Sequence, residues 1–259
     1  MAKKQKNNKH RNEVEFLSQQ LHNNAIAIEE GPKKKRWSTH DIKAIVPLTQ
    51  TQKDMFQQFY QGDQLCVYGS AGTGKSFIAL FLAIHDILDI KRPQKRLIIV
   101  RSAVPTRDMG FMPGSIDEKS SLYEMPYKDI FSDLFSRKST YEDMKEARLV
   151  EFMTTSYVRG LTWDNAIIVV DEVQNMSWHE IHSIMTRIGK DSRVIFTGDM
   201  TQTDLTNYKG DKSGMDQFIR VVKKMEEFAI VYFTTDDIVR SSLVKSWIVA
   251  VEAHTGIKS

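Results

Sequence analysis

The sequence is poorest in cysteine. Its 259 residues hold one, Cys66, which excludes an internal disulfide framework and fits a reducing, cytoplasmic location. No apolar run approaches the roughly 20 residues that a membrane helix needs, so no membrane partner is expected. The basic start, Met1 to His10, is followed by no apolar stretch, which argues against a secretory signal. Two kinds of chemistry are missing as well. A single cysteine cannot form a CxxC, and His179-Glu180-Ile181-His182 lacks the i, i+4 histidine spacing of a zinc protease. No G-x-S-x-G elbow occurs, so a Ser/His/Asp hydrolase is unsupported.

What is present is ordinary in bulk, 41% hydrophobic and 27% charged, and long enough to bury one substantial core. Charge is unevenly placed, although the net value is only +3. Residues 1–40 carry nine Lys/Arg (Lys3, Lys4, Lys6, Lys9, Arg11, Lys33, Lys34, Lys35, Arg36) against Glu13, Glu15, Glu29 and Glu30, a local charge of +5. The remainder is −2. The expected organisation is therefore a basic, flexible N-terminal arm over 1–40 and one globular domain over 41–259. Such an arm suits a phosphate backbone or an acidic partner, and equally a solvated terminus. Gly31 to Arg36 also matches a nuclear-import pattern, though short basic runs of this kind are common.

Within the domain, Met55, Phe56 and Phe59 fall at helical spacing and predict a helix starting near Thr49. Leu65-Cys66-Val67-Tyr68 runs into a glycine-rich turn and then into Phe77 to Ile84, which is apolar nearly all round. That order reads as buried strand, loop and buried helix. Leu97 to Val100, Ile167 to Val170, Val194 to Phe196 and Ile230 to Phe233 are further continuous apolar runs, as in strands covered on both faces. Helical patterns at His179 to Ile188 and Asp216 to Phe228 separate them, so an α/β fold with a parallel sheet is expected. Between the second and third predicted strands lies an insertion, Val104 to Val150. Its Tyr127, Ile130, Phe131, Leu134 and Phe135 follow i, i+3, i+4, i+7, i+8 and mark an amphipathic helix, best explained as packing on the sheet. A stacking surface or subunit contact is the alternative.

Gly69-Ser70-Ala71-Gly72-Thr73-Gly74-Lys75-Ser76 fits G-x-x-x-x-G-K-[ST] between the predicted strand and helix. Glycines let backbone N–H groups curl toward phosphates, and the helix N-terminus adds positive potential. Lys75 would reach the β and γ phosphates of a triphosphate, and the Ser76 hydroxyl would bind Mg²⁺. Asp171, at the end of the run Ile167 to Val170, is the expected metal partner. Glu172, next along, is expected to point to the other side and to deprotonate the attacking water. A strand-end glutamate separates this arrangement from small-molecule kinases. Beyond Val194 to Phe196, Gln202 is the preferred sensor of the γ-phosphate, with Asp199 as the alternative.

These motifs resemble those of PhoH-like proteins, P-loop ATPases related to superfamily 1 helicase cores. The resemblance runs from about Pro47 to the C-terminus. It is carried by Leu48 to Gln52, the loop Gly69 to Ser76, Gly110-Phe111-Met112-Pro113-Gly114, Arg159-Gly160, Asp171 to Asn175, Gly198 to Gln202, and Asp237-Ile238-Val239-Arg240. It implies a single RecA-like domain, with helices on both faces of a mostly parallel sheet. It implies ATP and Mg²⁺ as cofactors, adenine recognition by Gln52, and contact of Arg240 with the γ-phosphate across a subunit boundary; a surface charge at a helix start is the other reading of Arg240. Arg101 is followed by Ser102 where the family commonly has proline, which leaves its role open. A lone RecA-like domain also implies a homo-oligomeric ring, hexameric as in the family. The expected function is an ATPase stimulated by RNA or single-stranded DNA and helicase-like in action. The alternative is an ATP-gated regulatory or assembly module acting on a protein partner without motor activity.

Overall fold

A computed structural model describes residues 37–102, 116–199 and 213–255. The described residues from Ser38 onward form one compact unit. The first helix, α1 (Gln50–Gln61), starts where Thr49 accepts a hydrogen bond from the Gln52 N–H, and it ends at Gly62 in a left-handed conformation. Both are standard helix stops, a hydroxyl cap at one end and glycine at the other. There follow β1 (Gln64–Gly69), α2 (Lys75–Leu88), β2 (Arg96–Arg101), α3 (Ile116–Leu134), α4 (Thr140–Glu146) and β3 (Val150–Thr154). Then come β4 (Ala166–Asp171), α5 (Trp178–Met185), β5 (Arg193–Gly198), α6 (Met215–Val222), β6 (Phe228–Phe233) and α7 (Ser242–Thr255).

The six strands form one sheet in the order β3-β2-β4-β5-β1-β6, and each pairing is parallel. This is the expected α/β, RecA-like arrangement. Parallel strands all leave the sheet at one edge, so the exits of β1, β4 and β5 converge there. The strand β5 separates the strand that feeds the glycine-rich loop from the strand that ends on Asp171.

Alternating side chains give the sheet two buried faces. On one, Cys66, Ile98, Val100, Ile168, Val170, Val194 and Phe196 pack with Ile181 and Ile184 of α5 and Phe218, Ile219 and Val222 of α6. The opposite residues, among them Leu65, Ile99, Ile167 and Val169, are equally buried, and α2 crosses β4, β5 and β2 there. Full burial on both faces explains why these strands read as unbroken apolar runs. A buried ion pair braces the far edge of the sheet. Arg193 Nη1 lies 3.7 Å from Asp86 Oδ2, its guanidinium sits 3.8 Å from the Phe59 ring centre, and its Nη2 donates to the Phe59 carbonyl at 2.6 Å.

Three elements differ from the sequence reading. The insertion ends in a strand, β3, which pairs with β2 from Leu97↔Val150 to Arg101↔Thr154. The helix expected over Asp216 to Phe228 stops at Val222, and Phe228 opens β6. The helix expected to run to Ile188 ends at Met185. Its start is set by a capping box, in which Ser177 Oγ accepts from the Glu180 N–H at 3.3 Å and Glu180 Oε2 accepts from the Ser177 N–H at 2.8 Å. The aromatic stripe of α3 is core: Tyr127, Phe131, Leu134 and Phe135 are buried.

Candidate functional site

The loop between β1 and α2 is shaped by glycines. Gly69, Gly72 and Gly74 all have positive φ, at 126°, 69° and 85°. At Gly69 the requirement is steric as well, because a Cβ there would stand 1.9 Å from the Phe233 carbonyl oxygen of the adjacent strand β6. The Ser70 N–H donates to that same oxygen at 3.0 Å. Gly74 caps α2 with no side-chain acceptor, so the first N–H groups of the helix and the positive end of its dipole are left for a ligand.

Around this loop lies a pocket of about 530 Å³, within the range of small-ligand sites. Ala71 to Ile78 line it, together with Gln52, Asp171, Glu172, Gly198, Asp199 and Arg240. Lys75 is buried and folded onto its own loop. Its Nζ donates to the Gly69 carbonyl at 2.9 Å and the Ser70 carbonyl at 2.6 Å. Burial lowers its pKa below that of an ordinary lysine, against the pull of Asp199, Glu172 and Asp171.

Asp171 collects hydroxyl donors. Ser76 Oγ donates to Oδ1 at 2.7 Å, Thr197 Oγ1 to Oδ1 at 2.6 Å, and the Tyr127 hydroxyl to Oδ2 at 3.0 Å. Register places Arg101 beside Asp171 on the neighbouring strand. Burial works to lower the pKa of Arg101, but Tyr127, Asp171 and Glu172 outweigh it and the net shift is upward. Arg101 is thus a permanent countercharge at the end of β2, a role the sequence leaves open. The residues fit Mg²⁺ in their chemistry: one carboxylate and one hydroxyl, both hard oxygen donors, already within hydrogen-bond distance. Among the described residues no cluster of three or more His, Cys, Asp or Glu could hold a metal by itself. A Mg²⁺ here would draw its remaining ligands from phosphates and water, which suits its preference for substrate-completed sites.

Glu172 departs from the expectation that it points to the other side. Its backbone is left-handed, φ 56° and ψ 44°, which breaks the alternation of the strand and lets both carboxylates border one pocket. Non-glycine residues rarely adopt this conformation, and it costs on the order of 1 kcal/mol. Burial, and then the Asp171 charge, push its carboxyl above the ordinary range. Gln174 braces it: Nε2 donates to Glu172 Oε2, while Oε1 accepts the Asp199 N–H at 2.9 Å. The brace ties the exit of β4 to the exit of β5.

The other expected residues are placed less simply. Gln52 lies at the pocket, but its amide spans the Leu48 N–H at 2.7 Å and the Thr73 carbonyl at 3.0 Å, so it also holds the glycine-rich loop. Arg240 borders the pocket of its own chain, with its side chain against Gly72 and the neighbouring Val239 N–H bonded to the Gly72 carbonyl at 3.1 Å. Arg159 is exposed in the turn after β3 and stands apart from the pocket. Gln202 and Gly110 to Gly114 lie outside the described residues, as do residues 1–36 of the expected arm. Sequence reasoning missed Tyr127 and Thr197 as partners of Asp171. Thr197 was within reach of it, as a polar residue at the exit of a strand predicted to neighbour β4.

The family model for PhoH-like proteins matches residues 44–252. The chain belongs to the PhoH-like family. Relatives include the PhoH-like protein of Synechocystis sp., 35% identical over 202 residues that cover 78% of this chain and 60% of that protein. The PhoH-like protein of Bacillus subtilis is 32% identical, over 81% of this chain and 65% of its own. Protein PhoH of Escherichia coli K12 is 30% identical, over 79% and 57%. This member of the PhoH-like family thus spans less than two thirds of the length of these relatives. Among solved structures, Pif1 helicase from Candida albicans covers 73% of this chain and 40% of its own at 15% identity and a TM-score of 0.37. Bacteroides Pif1 bound to ssDNA covers 83% and 48% at 11% identity and a TM-score of 0.36. Among the described residues no helix is long and apolar enough to cross a membrane.

Proposed function

We propose that this PhoH-like chain is a Mg²⁺-dependent ATP hydrolase, stimulated by RNA or single-stranded DNA and helicase-like in action. The observation that carries the reading is the meeting of Gly69 to Ser76, Asp171 and Glu172 around one pocket. Loop N–H groups and the α2 N-terminus hold the phosphates. Lys75 exchanges the Gly69 and Ser70 carbonyls for phosphate oxygens. Ser76 and Asp171 hold Mg²⁺, which when bound neutralises charge on the β and γ phosphates. Glu172 takes the proton of the attacking water; its raised pKa makes it a better base than an exposed glutamate. Gln202 senses the γ-phosphate, and Gln52 contacts adenine through the hydrogen-bonding capacity its amide retains.

A ring with ATP between subunits belongs to this reading, and α7 offers a surface for a subunit contact. It leaves Leu243 79% and Trp247 70% exposed, at i, i+4 on one face, while Ile248 of the same helix reaches toward Gly72. Adjacent exposed apolar side chains on one helix face mark an interaction surface better than a lone one does. Arg240 borders the pocket of its own subunit, and in this reading it contacts the γ-phosphate of a nucleotide held between subunits. Support for nucleic acid comes from the basic arm.

The test is steady-state ATP turnover of the full chain with and without RNA or single-stranded DNA, at rising salt, and again with residues 1–40 deleted. Nucleic acid is expected to raise turnover, the stimulation to fall as salt rises, and the deletion to weaken it. ATP turnover that no nucleic acid raises, with no binding at low salt, would instead favour a nucleotide-gated module acting on a protein.

A further inference from the structure

Asp171 receives its three hydroxyls from three separate places. Ser76 belongs to the nucleotide loop, and Thr197 belongs to the adjacent strand. The third, Tyr127, comes from α3, an element of the insertion between β2 and β3. Its ring is 1% exposed and packs 5.7 Å from the Phe152 ring centre. Packing accounts for the ring and not for the hydroxyl. Phenylalanine would fill the same space with no O–H to desolvate, and the cost of burying the hydroxyl is offset by its hydrogen bond to Asp171.

The two oxygens of Asp171 have divided tasks. Oδ1 faces Ser76 on the pocket side, 2.7 Å away. Oδ2 is held by Tyr127 at 3.0 Å. Together with the Thr197 bond to Oδ1 at 2.6 Å, the Tyr127 bond on Oδ2 resists rotation of the carboxylate plane about its Cβ–Cγ bond, so Oδ1 stays aimed at the position shared with Ser76. Further along the same helix, Ile130 and Asp133 line the pocket. One helix therefore forms part of the pocket wall and orients the carboxylate.

We infer that Tyr127 is a positioning residue for the divalent cation, acting through Asp171 by fixing the direction of its Oδ1. The inference rests on the nucleotide reading above, because it takes Asp171 and Ser76 as the cation ligands.

Tyr127→Phe keeps the ring and removes the donor. Binding of Mn²⁺ in the presence of saturating ADP, followed by electron paramagnetic resonance of the free ion, is expected to weaken about 10-fold, the usual cost of losing a partner that orients a metal ligand. ADP binding in EDTA should stay at the wild-type level. In turnover, KM for Mg²⁺ should rise while kcat at saturating Mg²⁺ changes far less, a split that a merely loosened core would not give. An unchanged Mn²⁺ dissociation constant overturns the role of Tyr127 and leaves the nucleotide reading intact. Wild-type protein that takes up no Mn²⁺ with ADP overturns the nucleotide reading itself, and this inference with it. Should the Phe variant lose its cooperative thermal transition, para-fluorophenylalanine at position 127 fills the volume of the hydroxyl without an O–H and carries the same expectations.

Discussion

Glu172→Gln is expected to bind ATP and Mg²⁺ like the wild type and to hydrolyse it about 10²–10⁴-fold more slowly, the range general-base catalysis supplies. The substitution keeps shape and removes the basic oxygen. The amide keeps the side-chain shape at the left-handed backbone, φ 56°, and among the described residues the Glu172 carboxyl accepts a hydrogen bond from Gln174 and from no residue of the loop Gly69 to Ser76. Gln174 Nε2, which donates to Glu172 Oε2, can still donate to the carbonyl oxygen of the new amide. Removing one of two neighbouring carboxylates also relieves repulsion, since Asp171 is among the causes that raise the Glu172 pKa. ATP should therefore accumulate on the variant, seen as slow phosphate release beside undiminished equilibrium binding. Wild-type turnover in the variant would remove Glu172 from the role of base.

Lys75→Ala is expected to lose both functions while the domain stays folded. With the ammonium gone, the phosphates would face Asp171, Glu172 and Asp199 with one less countercharge, and the developing charge in phosphoryl transfer would lose a donor. Losing one such donor costs about 10²–10³-fold in turnover, and nucleotide affinity should fall as well. Stability should change little, for a reason of sign. Burial is the largest influence on Lys75 and its pKa is lowered, so the charged form is less favoured in the fold than in the unfolded chain. That penalty disappears in the variant and offsets the lost bonds to the Gly69 and Ser70 carbonyls. Nucleotide binding by fluorescence titration, read beside a thermal melt, checks the two halves separately. A collapse of the melt would mean that Lys75 chiefly holds the loop together.

Much of this site is legible in the sequence because its chemistry demands residue types at fixed spacing. Gly69, Gly72 and Gly74 take positive φ, and Lys75 and Ser76 must follow them at the start of a helix. The carboxylate strand was visible for a related reason: β4 is buried along its whole length, so Ile167 to Val170 form an unbroken apolar run ahead of Asp171. The edge strand β3 lacks that signal. Glu151 and Thr154 interrupt its run, and its three middle residues are only partly buried.

Other features depend on information that spacing does not carry. Strand alternation sends Glu172 away from Asp171, and only its backbone dihedral reverses that. Helical periodicity assigns Tyr127 to a buried face but is silent on what its hydroxyl touches. Arg240 beside its own loop follows from the pairing of β6 with β1, a neighbour relation between strands far apart in the chain. That pairing sets the Phe233 carbonyl against Gly69, and it brings the segment after β6 to Gly72.

The central claim is hydrolysis at the pocket built by Gly69 to Ser76, Asp171 and Glu172, and phosphate release from ATP by the purified chain measures it directly. Continuous release is expected that stops in EDTA, returns with Mg²⁺, and falls to background in Glu172→Gln. No release from folded wild-type protein in Mg²⁺, with or without RNA and single-stranded DNA, would contradict it, as would release that persists unchanged in Glu172→Gln.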